Sequence, residues 1–129
     1  MTATNSRATH MQIQDVRLLE DWGRSLRRMF PGEVAYLVGS ALTTSAYRDV
    51  DVRLIFDDAK FDALDELLSI PRLNMCLSIW GRQVTGLPID CQIQQMTEAN
   101  ELFGSGSGTR RNALGISEWD NEKKENNDG

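Results

Sequence analysis

The chain has few of the residues on which histidine- and cysteine-dependent chemistry relies. Its 129 residues include one histidine, His10, and two cysteines, Cys76 and Cys91. These are too few and too dispersed for a His/Cys metal site. A Ser-His-Asp or Cys-His nucleophile is also excluded, unless His10 folds back from its predicted leader. Both cysteines lie in apolar stretches, so we expect buried, unpaired thiols in a reducing compartment.

Long apolar runs and an excess of basic charge are missing as well. No run approaches the roughly 20 residues that span a bilayer, and the first ten residues lack the apolar core of a secretory signal. The formal charge is −5, of which residues 118–129 contribute −3 from five acidic and two basic side chains. This balance argues against a general nucleic-acid binder. We therefore expect a cytoplasmic protein with one domain.

The hydrophobic periodicity of the chain predicts an α+β fold. Helical spacing of apolar residues occurs in four segments: 14–30, 59–68, 73–85 and 96–103. Strand patterns occur in three segments: 34–38, 50–56 and 89–94. The segment 73–85 also fits strand alternation, although helix is favoured. We expect Asp15 to cap the first helix, unless that helix begins earlier, and Asp57-Asp58 to cap the second. This order predicts a small mixed sheet of three or more strands with helices packed against it.

Composition divides the chain into three parts. Residues 1–11 are expected to be a flexible leader, 12–103 the folded domain, and 104–129 a Gly/Ser-rich and acidic tail that is largely disordered. Arg110 and Arg111 follow the Gly-Ser stretch of this tail. They belong either to a disordered segment or to a mobile lid over a phosphate ligand.

Carboxylates open two of the predicted strands. Asp49 and Asp51 stand at i and i+2, so they project from the same face of a strand. Asp90 is a polar residue in the alternating strand 89–94 and joins them if the two strands are neighbours. Three converging carboxylates repel each other, and Mg²⁺ or Mn²⁺, which prefer hard oxygen ligands, relieve this repulsion. The pattern favours a metal site over a solvated strand edge.

Gly39-Ser40 follows the predicted strand 34–38 and suits phosphate binding. A glycine lets the backbone approach a ligand closely, and the Ser40 hydroxyl and following amides can donate to phosphate. The alternative is an ordinary strand-to-helix turn. Arg48 pairs either with a phosphate or with Asp49. Arg53 shares the carboxylate face, where it either binds phosphate or forms a salt bridge within the cluster.

Together these residues resemble the nucleotidyltransferase-fold superfamily, which includes DNA polymerase beta. The family signature is a strand, a Gly-Ser pair, a spacer, Asp-x-Asp on the next strand and an Asp on a third strand. The chain has Gly39-Ser40, Asp49-Val-Asp51 and Asp90 at these places. The resemblance covers about residues 14–95, and the size resembles the minimal nucleotidyltransferases. The stretch 80–90 also looks like a small phage-associated subgroup of unknown substrate.

The resemblance implies a Mg²⁺-dependent (or Mn²⁺-dependent) enzyme that binds a nucleoside triphosphate such as ATP. It would transfer the nucleoside monophosphate to a hydroxyl acceptor and release pyrophosphate. Gly39 and Ser40 would hold the triphosphate, Asp49 and Asp51 would bind both metals, and Asp90 would bind the catalytic metal and help deprotonate the acceptor. The acceptor would be a protein side chain, a nucleic-acid end or a small molecule. By analogy with the family, the chain would act as a homodimer or together with a small partner protein.

The chain departs from the family pattern in its spacer. Many minimal members carry a second glycine after the serine and a serine before the first aspartate, where this chain has Thr43-Thr44 and Arg48. This departure bears on which nucleotide fits. Two other functions remain open. One is a catalytically inactive nucleotide-binding or interaction protein of the same fold. The other is a metal-dependent glycosyltransferase, which usually needs a longer chain and leaves Gly39-Ser40 unexplained.

Overall fold

The computed structural model of the chain describes residues 9–103 and 111–116, and within them it has four α-helices and a four-stranded mixed sheet. The helices are α1 (Ile13–Met29), α2 (Asp58–Leu67), α3 (Ile70–Thr85) and α4 (Met96–Phe103). The strands are β1 (Val34–Val38), β2 (Val50–Phe56), β3 (Ile89–Gln95) and β4 (Asn112–Ala113). A 3-10 helix, Gly39–Leu42, follows β1. The predicted α+β class is confirmed.

The sheet combines both strand directions in the order β3-β2-β1-β4. β1 pairs with β2 and with β4 in antiparallel fashion, whereas β2 and β3 are parallel. The helices α2 and α3 form the crossover that a parallel pair requires. In this register Asp51 of β2 stands opposite Asp90 of β3 and opposite Val38 of β1. The end of β1 and the beginnings of β2 and β3 therefore meet at one end of the sheet.

The apolar core lies between one face of the sheet and the helices α1 and α3. Val50, Val52 and Leu54 alternate along β2 and are fully buried on this face. From α1, Trp22 packs edge-to-face against Trp80 of α3, with ring centroids 5.8 Å apart. Trp22 is fully buried, and Trp80 is partly buried against the core.

Two helix starts differ in how well the sequence predicted them. Asp57 caps α2 as expected, because its side chain accepts the N–H of Lys60 at 2.9 Å. The predicted cap of α1 is wrong: Gln12 holds the N-cap position without a side-chain hydrogen bond, and Asp15 lies in the first turn. There its negative charge interacts favourably with the helix dipole instead of closing the helix end.

The ambiguous segment 73–85 belongs to the helix α3, which begins three residues earlier than predicted. Ser69 caps this helix by accepting the N–H of Arg72 at 3.4 Å, and Pro71 lies in its first turn. A proline is tolerated at that place because its missing N–H would have no partner within the helix. Gly86 ends the helix in the left-handed conformation, with φ of +71°.

Residues on either side of the predicted domain also pack against it. β4 lies within the expected tail and pairs with β1, and Leu114 is buried in the core with its N–H donating to the carbonyl of Ala35 at 2.8 Å. At the other end, Met11 of the expected leader is also buried in the core. The rest of the leader, 1–8, and of the tail, 104–110 and 117–129, lies outside the described residues.

The two cysteines have different environments. Cys91 is buried in β3, and burial is the main cause that raises the pKa of its thiol to about 12. Cys76 is exposed on α3, so the expectation that both thiols are buried is wrong for this residue. It lies on the solvent side of a helix whose other face meets the core. Both thiols are free, as predicted.

No helix in the described part of the chain combines the length and apolarity needed to cross a membrane.

Candidate active site

The end of the sheet where β1, β2 and β3 meet brings together the residues singled out in the sequence. Asp51 and Asp90 are the second residues of β2 and β3 and form a register pair. Their carboxyl groups are close enough to share a hydrogen bond. The side chain of Asp51 is 24% exposed, and Asp90 is half-buried. Asp49 is exposed one residue before β2, and its charge acts on Asp51.

The electrostatics of the pair are unfavourable for a charged Asp51. Burial is the largest cause that raises the pKa of its carboxyl above the usual 3.8, and the charges of Asp90 and Asp49 raise it further. Arg53 lowers this pKa but does not reverse the shift. Ionised Asp51 is therefore disfavoured both by desolvation and by repulsion from the neighbouring carboxylates.

Gly39 is the residue of the Gly-Ser pair that contacts the cluster. Its φ is +79°, a conformation that favours glycine, and a Cβ built on it would lie only 2.5 Å from Oδ2 of Asp51. A side chain at position 39 would therefore displace the Asp51 carboxylate. The Gly-Ser pair and the Asp-x-Asp pair are thus two parts of one packed arrangement.

Ser40 stands beside this contact, exposed to solvent at the start of the 3-10 helix. Its carbonyl accepts the N–H groups of Thr43 and Thr44 at 3.0 and 2.9 Å. The backbone N–H groups of Thr43 and Thr44 therefore close this turn.

Arg53 connects the two carboxylate strands. Its Nη1 donates to the carbonyls of Val52 and Asp90 at 3.0 and 3.1 Å, and its Nη2 lies 3.9 Å from Oδ1 of Asp51. Of the two roles left open for Arg53, the contacts correspond to a salt bridge within the cluster. Arg48 is exposed in the loop before β2.

Gln92 of β3 and Arg111, the residue before β4, lie on the same face of the sheet as Arg53. Gln92 Nε2 donates to Oδ1 of Asp90 at 3.4 Å, so it helps to orient this carboxylate. Arg111 stacks 4.6 Å above the ring of Tyr36 and donates to Oδ1 of Asn100 at 3.1 Å. Arg111 is therefore anchored to the sheet and to α4, while Arg110, the other half of the predicted lid, lies outside the described residues.

Three side chains of α3 near the site were not identified from the sequence. Asn74, Ser78 and Arg82, called here the edge-capping row, form hydrogen bonds with the backbone of β3. Their spacing of four residues marks one stripe of a helix. This polar stripe can be recognised in the sequence, but its spacing does not predict which strand it contacts.

The donor set suits a divalent cation only in part. Within residues 9–103 and 111–116, no group of three or more His, Cys, Asp or Glu side chains is arranged to hold a metal ion. Asp51 and Asp90 nevertheless form a close pair of hard oxygen donors whose mutual repulsion a cation would relieve. Two of the three predicted ligands are therefore brought together, and Asp49 stands at the margin of the site.

No family model, curated protein or solved structure matches the chain. What the site does is therefore inferred from its own residues.

Proposed function

We propose that the chain is a metal-dependent nucleotidyltransferase. It transfers a nucleoside monophosphate from a nucleoside triphosphate to a hydroxyl acceptor and releases pyrophosphate. The observation that carries the proposal is the register pair of Asp51 and Asp90, with Gly39 packed against the Asp51 carboxylate. Burial and the charges of Asp90 and Asp49 disfavour ionised Asp51, so the presence of these carboxylates side by side favours a functional explanation.

The residues divide the reaction between phosphate binding and proton removal. The exposed residue Ser40 donates its hydroxyl to a phosphate oxygen, next to Gly39, which leaves space for the Asp51 carboxylate. The acceptor oxygen forms a bond to the α-phosphorus, the bond to pyrophosphate breaks, and Asp90 takes the proton of the hydroxyl. Asp51 and Asp90 would also provide oxygen ligands for Mg²⁺ or Mn²⁺, with Asp49 as a third carboxylate. When bound, the cation would supply charge neutralisation and orientation of the triphosphate.

The two arginines support this site in different ways. Arg48 is exposed next to Asp49 and is available to a phosphate group. Arg53 already donates to two backbone carbonyls, one on each strand, so its role is to hold Asp51 and Asp90 in register. A cytoplasmic location belongs to the same proposal and is supported by the two free cysteines.

The first test is thermal stability with each nucleoside triphosphate, with and without Mg²⁺. We expect at least one triphosphate to raise the Tm in the presence of Mg²⁺, since a ligand at 100 times its Kd stabilises by about 2.7 kcal/mol. Asp90→Asn should remove this stabilisation. A wild-type protein whose Tm responds to no triphosphate contradicts the proposal. Release of pyrophosphate with candidate hydroxyl acceptors is the second measurement.

One contact favours a second candidate, a nucleotide-binding protein of the same fold without turnover. The guanidinium of Arg53 lies 3.9 Å from Asp51 and already supplies positive charge to the cluster. Such a protein needs no cation for charge balance. It would be stabilised by a triphosphate equally with Mg²⁺ and with a chelator, and it would release no pyrophosphate. The enzyme would be stabilised more by a triphosphate with Mg²⁺ than with a chelator, and it would release pyrophosphate.

A further inference from the structure

The strand that carries Asp90 lies at the edge of the sheet. Among the described residues, β3 pairs with β2 on one side, and on its other side the backbone groups of alternate residues have no strand partner. The helix α3 covers this edge with three polar side chains. Arg82 Nε donates to the carbonyl of Ile89 at 3.0 Å, and Asn74 Oδ1 accepts the N–H of Ile93 at 2.9 Å. Between them, Ser78 Oγ accepts the N–H of Cys91 at 2.8 Å and lies 3.3 Å from its carbonyl.

The edge-capping row fits the strand because two spacings nearly coincide. Four residues of a helix rise about 6 Å, and two residues of a strand advance about 6.6 Å. Side chains at i, i+4 and i+8 of α3 can therefore meet every second residue of β3. The helix runs opposite to the strand, since Asn74 contacts Ile93 and Arg82 contacts Ile89. The position of β3 along α3 is consequently fixed at three successive points.

Asp90 lies between two of these points. Its preceding residue, Ile89, is bonded by Arg82, and its following residue, Cys91, is bonded on both backbone groups by Ser78. The carbonyl of Asp90 itself accepts from Arg53 on the opposite side. The backbone that carries the carboxylate is thus fastened to both neighbouring elements.

We propose that Ser78 and Arg82 are positioning residues for Asp90, an inference that rests on the proposed function. They act through the backbone and touch neither nucleotide nor metal. A shift of β3 relative to β2 moves Asp90 away from Asp51, because the register of these two strands sets the distance between their carboxylates. The third member of the row, Asn74, bonds at Ile93, beyond the site, and serves only the fold.

This difference within the row supplies matched variants. Ser78→Ala, Arg82→Met and Asn74→Ala each remove the side-chain hydrogen bonds of one member of the row to the backbone of β3. Removal of a supporting residue behind a metal ligand typically weakens metal binding 10- to 100-fold. In a Mn²⁺ titration of the full chain, we expect Ser78→Ala and Arg82→Met to weaken binding about tenfold. Asn74→Ala should keep the wild-type affinity, and Ser78→Thr, which retains the hydroxyl, should restore most of it.

Turnover and hydrogen exchange give independent readouts. With a nucleoside triphosphate and Mg²⁺, Ser78→Ala and Arg82→Met should lower kcat and leave KM for the triphosphate unchanged. The amide of Cys91 should exchange faster in Ser78→Ala, and the amide of Ile93 in Asn74→Ala. If Ser78→Ala does not fold, Arg82→Met decides, because Arg82 is an exposed residue.

The outcomes separate this inference from the proposed function. A wild-type protein that binds no Mn²⁺ overturns both. A wild-type protein that binds Mn²⁺, with the same affinity in all three variants, overturns the positioning role and leaves the nucleotidyltransferase proposal standing. Equal loss of affinity in Asn74→Ala also overturns the positioning role, because the row would then act only through general stability.

Discussion

The two faces of β2 differ in almost every physical respect, although they alternate along the same seven residues. Val50, Val52 and Leu54 are fully buried against α1 and α3. Between them, Asp51 and Arg53 point to the other face, with side chains 24% and 13% exposed. One face stabilises the fold by burying apolar surface, and the other holds charges that desolvation and repulsion disfavour. One face of the strand therefore stabilises the fold. The charged residues on the other face are better explained by a function than by a contribution to stability.

The largest expected effect comes from the apolar face. Leu54→Ala should lower the free energy of unfolding by about 2–5 kcal/mol, because it leaves a cavity in a fully buried site. Urea denaturation measures this loss. The control is Gln92→Ala, which lies on the same polar face in the neighbouring strand β3, opposite Arg53, and for which about 0.5 kcal/mol or less is expected. Similar losses for both variants would mean that the two faces contribute equally to stability.

An intermediate effect is expected at the contact between the Gly-Ser pair and the carboxylates. Gly39→Ala should cost about 1–3 kcal/mol, because alanine is strained at φ of +79° and its Cβ would clash with Asp51. Gly86→Ala is the matched control, since Gly86 has a similar φ of +71° with no atom within 4 Å of a built Cβ. The excess loss at Gly39, measured by urea denaturation, reports the clash. It should shrink in an Asp51→Ala background, and an unchanged excess would refute the role of Asp51.

The smallest effect has the opposite sign. Asp51→Asn should raise the free energy of unfolding by about 0.5–2 kcal/mol near neutral pH. Under the proposed function, the same variant should also lose nucleotidyl transfer. The pKa of Asp51 is raised in the folded protein, so the folded state holds this proton more tightly than the unfolded chain does. Ionised Asp51 is therefore destabilising above its raised pKa. This destabilisation fades as the pH falls towards 3.8, the ordinary value for the unfolded chain.

Thermal unfolding of wild type and Asp51→Asn across this pH range checks the sign. The difference in Tm should be largest at neutral pH and should vanish in acid. Asp58→Asn is the contrasting variant, because the hydrogen bonds from Thr97 lower the pKa of Asp58. That variant should lose stability at neutral pH, and its difference from wild type should also fade in acid. A destabilised Asp51→Asn would show that the carboxylate contributes to the fold.

The local sequence pattern predicted most helices and strands, because the residues that determine each of them are close together in the chain. The apolar run 34–38 and the alternation in 50–56 predicted β1 and β2 with the bounds that the structure has. The segment 73–85 was ambiguous because its apolar spacing satisfied both periods. The deciding features, the cap at Ser69 and the contact with β3, lie outside that spacing.

Other features depend on contacts between residues that are distant in the chain. β4 has two residues, too few to show a period, and it exists because Leu114 enters a core built by earlier elements. Strand alternation predicted that Asp51 and Asp90 could share a face, but their pairing depends on the register of β2 and β3. The edge-capping row was missed for the same reason, since a polar helix stripe is usually solvated.

The late segment that carries β4 has a consequence for the order of folding during synthesis. The N–H of Gly115 donates to Glu20 Oε2 at 2.7 Å, and Arg27 Nη1 donates to the carbonyl of Gly115 at 3.0 Å. Gly23 makes room for this close approach, because a Cβ there would lie 2.7 Å from Cβ of Leu114. The side of α1 that carries Glu20, Gly23 and Arg27 is therefore covered only after nearly the last described residues have been synthesised. As ribosomes add about 5–20 residues per second, α1 spends several seconds with this surface open to chaperones.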